Sequence, residues 1–124
     1  MRAGLYAEFE GTVCRAVGAS DPIRLYALTE PAPAGFEPDR DGRWTLLVHP
    51  DRLTRLFDVE TTATWGGQTV NVTSVRDGIA TFTYFGMGLV ATPDVQRVQS
   101  DEWSGAVSVD ELSDVIEVEH DLPL

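Results

Sequence analysis

The chain has 124 residues, 43% hydrophobic and 23% charged, which suffices for one compact domain or two very small ones and argues against wholesale disorder. Its formal net charge is −11, with nine basic residues, all Arg, against 20 acids; the average surface repels phosphate, so the balance disfavours nucleic acid and favours a cationic partner. A single cysteine excludes an internal disulfide and a thiolate zinc site, and no apolar run reaches the roughly 18 residues of a spanning helix or makes a signal-peptide core, so a cytoplasmic protein without membrane contact is expected.

Period-two alternation begins at once. Leu5, Ala7 and Phe9 alternate with Tyr6 and Glu8, Glu10-Gly11 is a turn, and a second strand runs from Val13 to Val17. Asp21-Pro22 turns the chain into a third strand, Ile23 to Leu28. The stretch from Glu30 to Gly42 is rich in Pro, Gly and acid, which predicts a long loop carrying Phe36. Strand resumes at Arg43 to Val48, Asp51 is placed to cap a single helical or 3₁₀ turn, and Phe57 to Glu60 is strand again. The same order then returns: strand sequence from Thr64 to Thr73 with a Gly66-Gly67 hairpin turn, a strand from Ile79 to Phe85, a loop from Gly86 to Gln96, a strand near Trp103 to Val107, a turn at Asp110 to Val115 and a strand from Ile116 to His120.

The return is residue by residue. Ala7, Phe9 and Gly11 recur as Ala63, Trp65 and Gly67, and Asp21, Ile23 and Tyr26 recur at the same step of 56 as Asp77, Ile79 and Phe82. Trp44, Val48, Asp51, Leu53, Phe57 and Val59 recur at a step of 59 as Trp103, Val107, Asp110, Leu112, Ile116 and Val118. Two copies of one supersecondary unit follow, residues 1–62 and 63–124. Phe57, Val59, Thr61, Ala63 and Trp65 keep one parity across the junction, so the last strand of the first copy is expected to run straight into the first strand of the second. Five short strands, a long loop between the third and fourth and a tight turn before the fifth resemble the plan of SH3-like small barrels. The expected fold is therefore all-β, two tandem SH3-like barrels, with a single antiparallel sandwich as the alternative.

Matched positions separate interior from surface. The paired aromatics Phe9/Trp65, Tyr26/Phe82 and Trp44/Trp103 read as core, as does Cys14, whose counterpart is Val70. The charges diverge instead: Arg43, Arg52 and Arg55 are replaced by Glu102, Glu111 and Asp114. The reading this supports is an acidic face, Glu102, Asp110, Glu111, Asp114 and Glu117 with Glu119 and Asp121, that steers and docks a basic protein. The competing reading is a solvated surface, or one neutralised within the molecule by Arg52 and Arg55. Phe36, Phe85 and Met87 lie on or beside the long loops without clean counterparts, either as interface residues or folded over an open end of the barrel.

Catalytic signals are sparse. His49 matches Ser108 and His120 matches Thr61, and neither has a nucleophile beside it in sequence. No phosphate-cradling glycine loop and no calcium-binding spacing occurs, so no cofactor and no metal are expected. The run Tyr6 to Gly11, the Ile23 to Tyr26 strand, Gly35-Phe36-Glu37 and Val109 to Leu112 together resemble small acidic immunity-type proteins of polymorphic toxin systems. That resemblance implies a non-catalytic inhibitor that blocks a basic toxin domain stoichiometrically; separately, a monomer or weak homodimer is expected. The alternatives are an SH3-like scaffolding module binding a basic or proline-containing peptide, and an enzyme whose site motif reading does not reveal.

Overall fold

A computed structural model describes residues 1–18 and 20–124. The strands are β1 (Gly4–Phe9), β2 (Thr12–Val17), β3 (Ile23–Ala27), β4 (Glu37–Pro38), β5 (Trp44–Val48), β6 (Arg55–Trp65), β7 (Gln68–Arg76), β8 (Ile79–Phe85), β9 (Val95–Gln99), β10 (Glu102–Ser108) and β11 (Ser113–Leu122). Two 3₁₀ turns, Pro50–Arg52 and Val109–Glu111, precede β6 and β11. The protein is all-β, as the alternation requires.

The strands form one antiparallel sheet in the order β4-β5-β3-β2-β1-β6-β7-β8-β10-β9, with β11 paired to β6. This corrects the expected architecture: the strands belong to one sheet, and it does not close into barrels. Among the described residues no ladder returns from β5 to β6 or from β10 to β11. After each 3₁₀ turn the strand pairs with a partner other than the one it has just left, β6 lying beside β1 and β11 beside β6. After the first turn, the Thr54 N–H donates to the Glu8 carbonyl at 3.0 Å, and the side chains of Leu53 and Leu56 enter the core. The junction behaves as its parity demands, since β6 is continuous over 11 residues.

Three hairpins depend on left-handed backbone at both central residues. Glu10-Gly11 (φ 49° and 78°), Gly66-Gly67 (58° and 78°) and Asp77-Gly78 (52° and 76°) join β1 to β2, β6 to β7 and β7 to β8, the torsions that match a two-residue turn to the twist of its strands. Asp51 does not cap the first 3₁₀ turn. It lies inside it; His49 occupies the cap position and makes no side-chain cap bond. The second turn is better built, with Ser108 and Glu111 forming a reciprocal capping box.

By contacts the chain divides into two compact units, Leu5–Asp58 with His120–Leu124, and Met1–Gly4 with Val59–Glu119. The first-repeat unit packs Phe9, Cys14, Ile23, Leu25, Phe36 and Val48 into its core. The second-repeat unit packs Val70, Phe82, Tyr84, Leu89, Val95 and Val107. Cys14 and its counterpart Val70 are both fully buried, and burial pushes the Cys14 thiol pKa up, so it is a packing residue. Trp44 departs from its expected core role. It opens β5 beside the two-residue strand β4, where too little chain covers it, and it is exposed while Trp103 is half-buried.

The ladders also correct the repeat in the third strand. Ala16 stands opposite Leu25 in the first unit, whereas its counterpart Val72 stands opposite Phe82 in the second. Phe82 is thus the structural counterpart of Leu25, at a step of 57 and not 56, and Ala80 that of Ile23; Ile79 is exposed. A β-bulge between Val72 and Ser74 inserts the extra residue. The correction exposes a compensated pair. Leu25 faces Leu46 in the first unit, and Phe82 faces Gly105 in the second. A Cβ on Gly105 would lie 2.5 Å from Phe82 Cζ, so the larger ring at one position requires the missing side chain at the other.

Candidate functional site

The second-repeat unit gathers the expected acidic and apolar site residues into two groups and not one. β10 separates them: Glu102 opens it, and the turn carrying Asp110 and Glu111 follows its end at Ser108, six residue steps or about 20 Å along a strand. At the first end Glu102 is the cross-strand neighbour of Phe85, and its carboxylate accepts a 2.6 Å hydrogen bond from Gln99 Nε2. Phe85 is exposed and Met87 more so, with the Met87 carbonyl held by the Tyr84 hydroxyl at 2.7 Å. Phe36 is elsewhere, buried in the first-repeat unit with its ring 6.1 Å from that of Phe9. Of the two roles open to it, it folds inward; its position in the ladder corresponds to Val95, equally buried.

At the second end, Asp110, Glu111 and Asp114 are all exposed. Glu111 accepts the Ser108 backbone N–H at 3.2 Å, which spends one oxygen on the cap. Asp114 adopts φ 50°, a left-handed conformation that Asp tolerates better than most residues, and begins β11. Glu117 and Glu119 follow on β11, and here charge is neutralised internally. Arg2 Nε lies 3.0 Å from Glu117 and Arg2 Nη2 3.0 Å from Glu119, while the Arg2 backbone N–H also donates to Glu117. Partial burial raises the Glu117 carboxyl pKa, but the bonds and charge from Arg2 outweigh it and hold the group below its ordinary range. In the first-repeat unit Arg55 likewise holds Asp121 at 2.6 Å, and Arg52 reaches Glu10 at 3.6 Å. Asp110, Glu111 and Asp114 are exposed and lie outside these Arg pairs.

Matched-position reasoning missed the side chains beside them. It paired Ile116 and Val118 with Phe57 and Val59 without saying whether they are covered. In the structure Leu56, Phe57 and Val59 are 1–3% exposed, whereas their counterparts Val115, Ile116 and Val118 are 42%, 60% and 46% exposed. Phe57 and Ile116 differ in what lies over them. Phe57 stacks on Tyr6 at 5.9 Å, with the Arg55 guanidinium 4.0 Å over its ring. The counterparts of Tyr6 and Arg55 are Thr62 and Asp114, so aromatic and cation give way to a small side chain and an anion. Those two replacements were the available signal.

The histidines find different settings. His49 Nδ1 is 2.7 Å from Asp21 in an open depression of about 510 Å³ lined also by Pro50, Asp51, Leu53 and Leu124. The hydrogen bond to Asp21 and its charge raise the His49 pKa. That lining supplies a base and carboxylates but no Ser, Thr, Cys or Lys to act as nucleophile. Among the described residues no three His, Cys, Asp or Glu side chains group as metal ligands, and no helix is long and apolar enough to cross a membrane.

A family model described as an uncharacterised conserved protein, UCP033725, matches residues 1–123. The chain belongs to that family. No curated protein and no solved structure matches it.

Proposed function

We propose that this chain is a non-catalytic, cytoplasmic protein of the immunity or inhibitor type, which docks a basic protein partner, a toxin domain, through the acidic turn of its second repeat. One observation carries the reading: on a scaffold whose interior positions recur, the turn and strand start that hold Arg52 and Arg55 in the first repeat hold Glu111 and Asp114 in the second. Exposed charge reversed on a repeated framework alters association rate and partner choice far more than folding. The resemblance of the Tyr6 to Gly11 and Val109 to Leu112 segments to immunity-type proteins supplies the toxin as the partner class.

The test is co-expression with the toxin-like product of an adjoining reading frame. Wild-type chain restores growth, and Glu111→Arg with Asp114→Arg abolishes the rescue while the circular dichroism spectrum stays unchanged. Complex formation that is insensitive to salt between about 0.05 and 0.5 M, where screening shortens severalfold, rules out the acidic docking reading.

A second reading rests on a different feature, a depression of about 240 Å³ lined by Tyr26, Leu28, Arg43 and Trp44 among others. Aromatic walls of this kind accept proline rings, as in scaffolding modules. Micromolar capture of proline-containing peptides, lost in Trp44→Ala, would favour it over the toxin partner.

A further inference from the structure

We propose that the exposed face of β11 receives an extended segment of the basic partner presenting an aromatic ring beside a guanidinium, the two groups with which the first repeat covers its own equivalent strand. This rests on the docking reading above and names the chemistry of the segment that docks.

The internal repeat states what this strand is built to lie under. In the first repeat the strand after the 3₁₀ turn carries Phe57 against the Tyr6 ring, centroids 5.9 Å apart, with the Arg55 guanidinium 4.0 Å over its ring. Both ladder registers place Thr62 where Tyr6 stands, since Tyr6 faces Arg15 and Thr62 faces Asn71. Both 3₁₀ turns end in a capping leucine, Leu53 and Leu112, which places Asp114 where Arg55 stands. The second repeat thus keeps the aliphatic floor, Ile116 and Val118, but lacks both covering groups. An incoming aromatic side chain meets apolar surface that is more than two-fifths exposed, and an incoming guanidinium meets the exposed Asp114. The ring then packs on aliphatic surface and the guanidinium pairs with a carboxylate.

Charge decides between occupants. A second copy laid along β11 would bring its own Asp114, Glu117, Glu119 and Asp121 and no Lys or Arg from that strand, onto a chain of net charge −11. Self-association is therefore opposed where an Arg-bearing strand is attracted. Among the described residues β11 pairs with no strand but β6, and a strand with an open edge is a ready template for added backbone pairing.

The experiment uses the isotope-labelled full chain and a blocked peptide, Thr-Arg-Thr-Tyr-Thr-Arg-Thr, with a control in which both Arg are Glu. The expected result is amide shifts confined to Thr62 and residues 113–119 with the Arg peptide and none with the control. Thr62→Tyr, which refills the seat from within, weakens binding at least tenfold. Ile116→Ser, at an exposed position where folding is not at stake, weakens it at least fivefold. Asp114→Asn, which keeps a residue tolerant of positive φ, weakens it about threefold. Shifts elsewhere, equal binding of the control, no shifts at millimolar peptide, or affinity unchanged in Thr62→Tyr and Ile116→Ser would overturn the proposal. So would sedimentation showing a dimer whose β11 amides are protected. If Thr62→Tyr and Ile116→Ser still protect cells from the toxin while the Glu111 and Asp114 reversal does not, this docking mode falls and the functional reading stands. If the peptide maps to β11 but the chain protects against no basic toxin, the functional reading falls alone.

Discussion

Leu56, Phe57 and Val59 in β6 and Val115, Ile116 and Val118 in β11 descend from one pattern, yet the first set is buried and the second exposed. Their own hydrophobicity does not account for the difference. For Phe57 against Ile116 two neighbours differ, Tyr6 against Thr62 and Arg55 against Asp114, one on an adjacent strand and one at the strand's start. A side chain's burial is a property of what stands over it, so a duplicated interior can become a surface without any loss of apolar character.

Phe57→Ala tests that contrast most severely. Removing a buried, stacked ring is expected to cost about 3–5 kcal/mol, while Ile116→Ala on a surface strand should cost about 0.5 kcal/mol or less. Urea unfolding of both variants checks this, and equal losses would show that the two strands are not differently covered.

The paired volumes Leu25/Leu46 and Phe82/Gly105 come next. Gly105→Ala should destabilise by about 1–3 kcal/mol through overpacking, because the new methyl meets the Phe82 ring at 2.5 Å and Val95 Cγ2 at 2.9 Å. Adding Phe82→Leu should recover part of that loss, since the combination restores the smaller side chain found in the first repeat. A double-mutant cycle with no coupling would break the proposed compensation.

Glu117→Gln is smaller in effect, about 0.5–1 kcal/mol at neutral pH, because the Arg2 pair is partly solvated. The folded-state pKa of Glu117 lies below its unfolded one, so its contribution is present above the unfolded value, about 4.3, and disappears as pH falls through the folded value. Wild type and variant should therefore converge in thermal midpoint in strong acid.

Smallest of all is the effect at His49, whose counterpart Ser108 cannot titrate. Its pKa is raised by Asp21, so any stabilisation is complete below the ordinary histidine value, about 6.5, and vanishes as pH rises through the folded value. Nuclear magnetic resonance titration should place the His49 midpoint above that ordinary value, and Asp21→Asn should return it there. An unchanged midpoint in that variant would remove Asp21 as the cause.

Alternation and turn chemistry made most strands legible from the chain alone. Glu10-Gly11 and Gly66-Gly67 were readable as hairpins because few residues accept positive φ, and β6 was readable as continuous because its parity never breaks. The third strand of the second repeat was misaligned by one position, since a bulge at Thr73 leaves no compositional mark. Phe36 was readable as an apolar residue on a loop, but not as a core ring, because its partner Phe9 lies 27 positions earlier. The acidic set was readable as charge, but not as two groups separated by the length of β10.

By itself, then, the sequence determined the all-β character, the duplication and the sign of the surface, because these follow from local periodicity and composition. Only the tertiary structure decided that the sheet stays open, that Arg2 and Arg55 neutralise part of the acidic strand, and that Ile116 and Val118 face outward. Each of those outcomes depends on which distant residues arrive to pair, screen or cover a group, and that information is carried by the ladders and not by any stretch of chain.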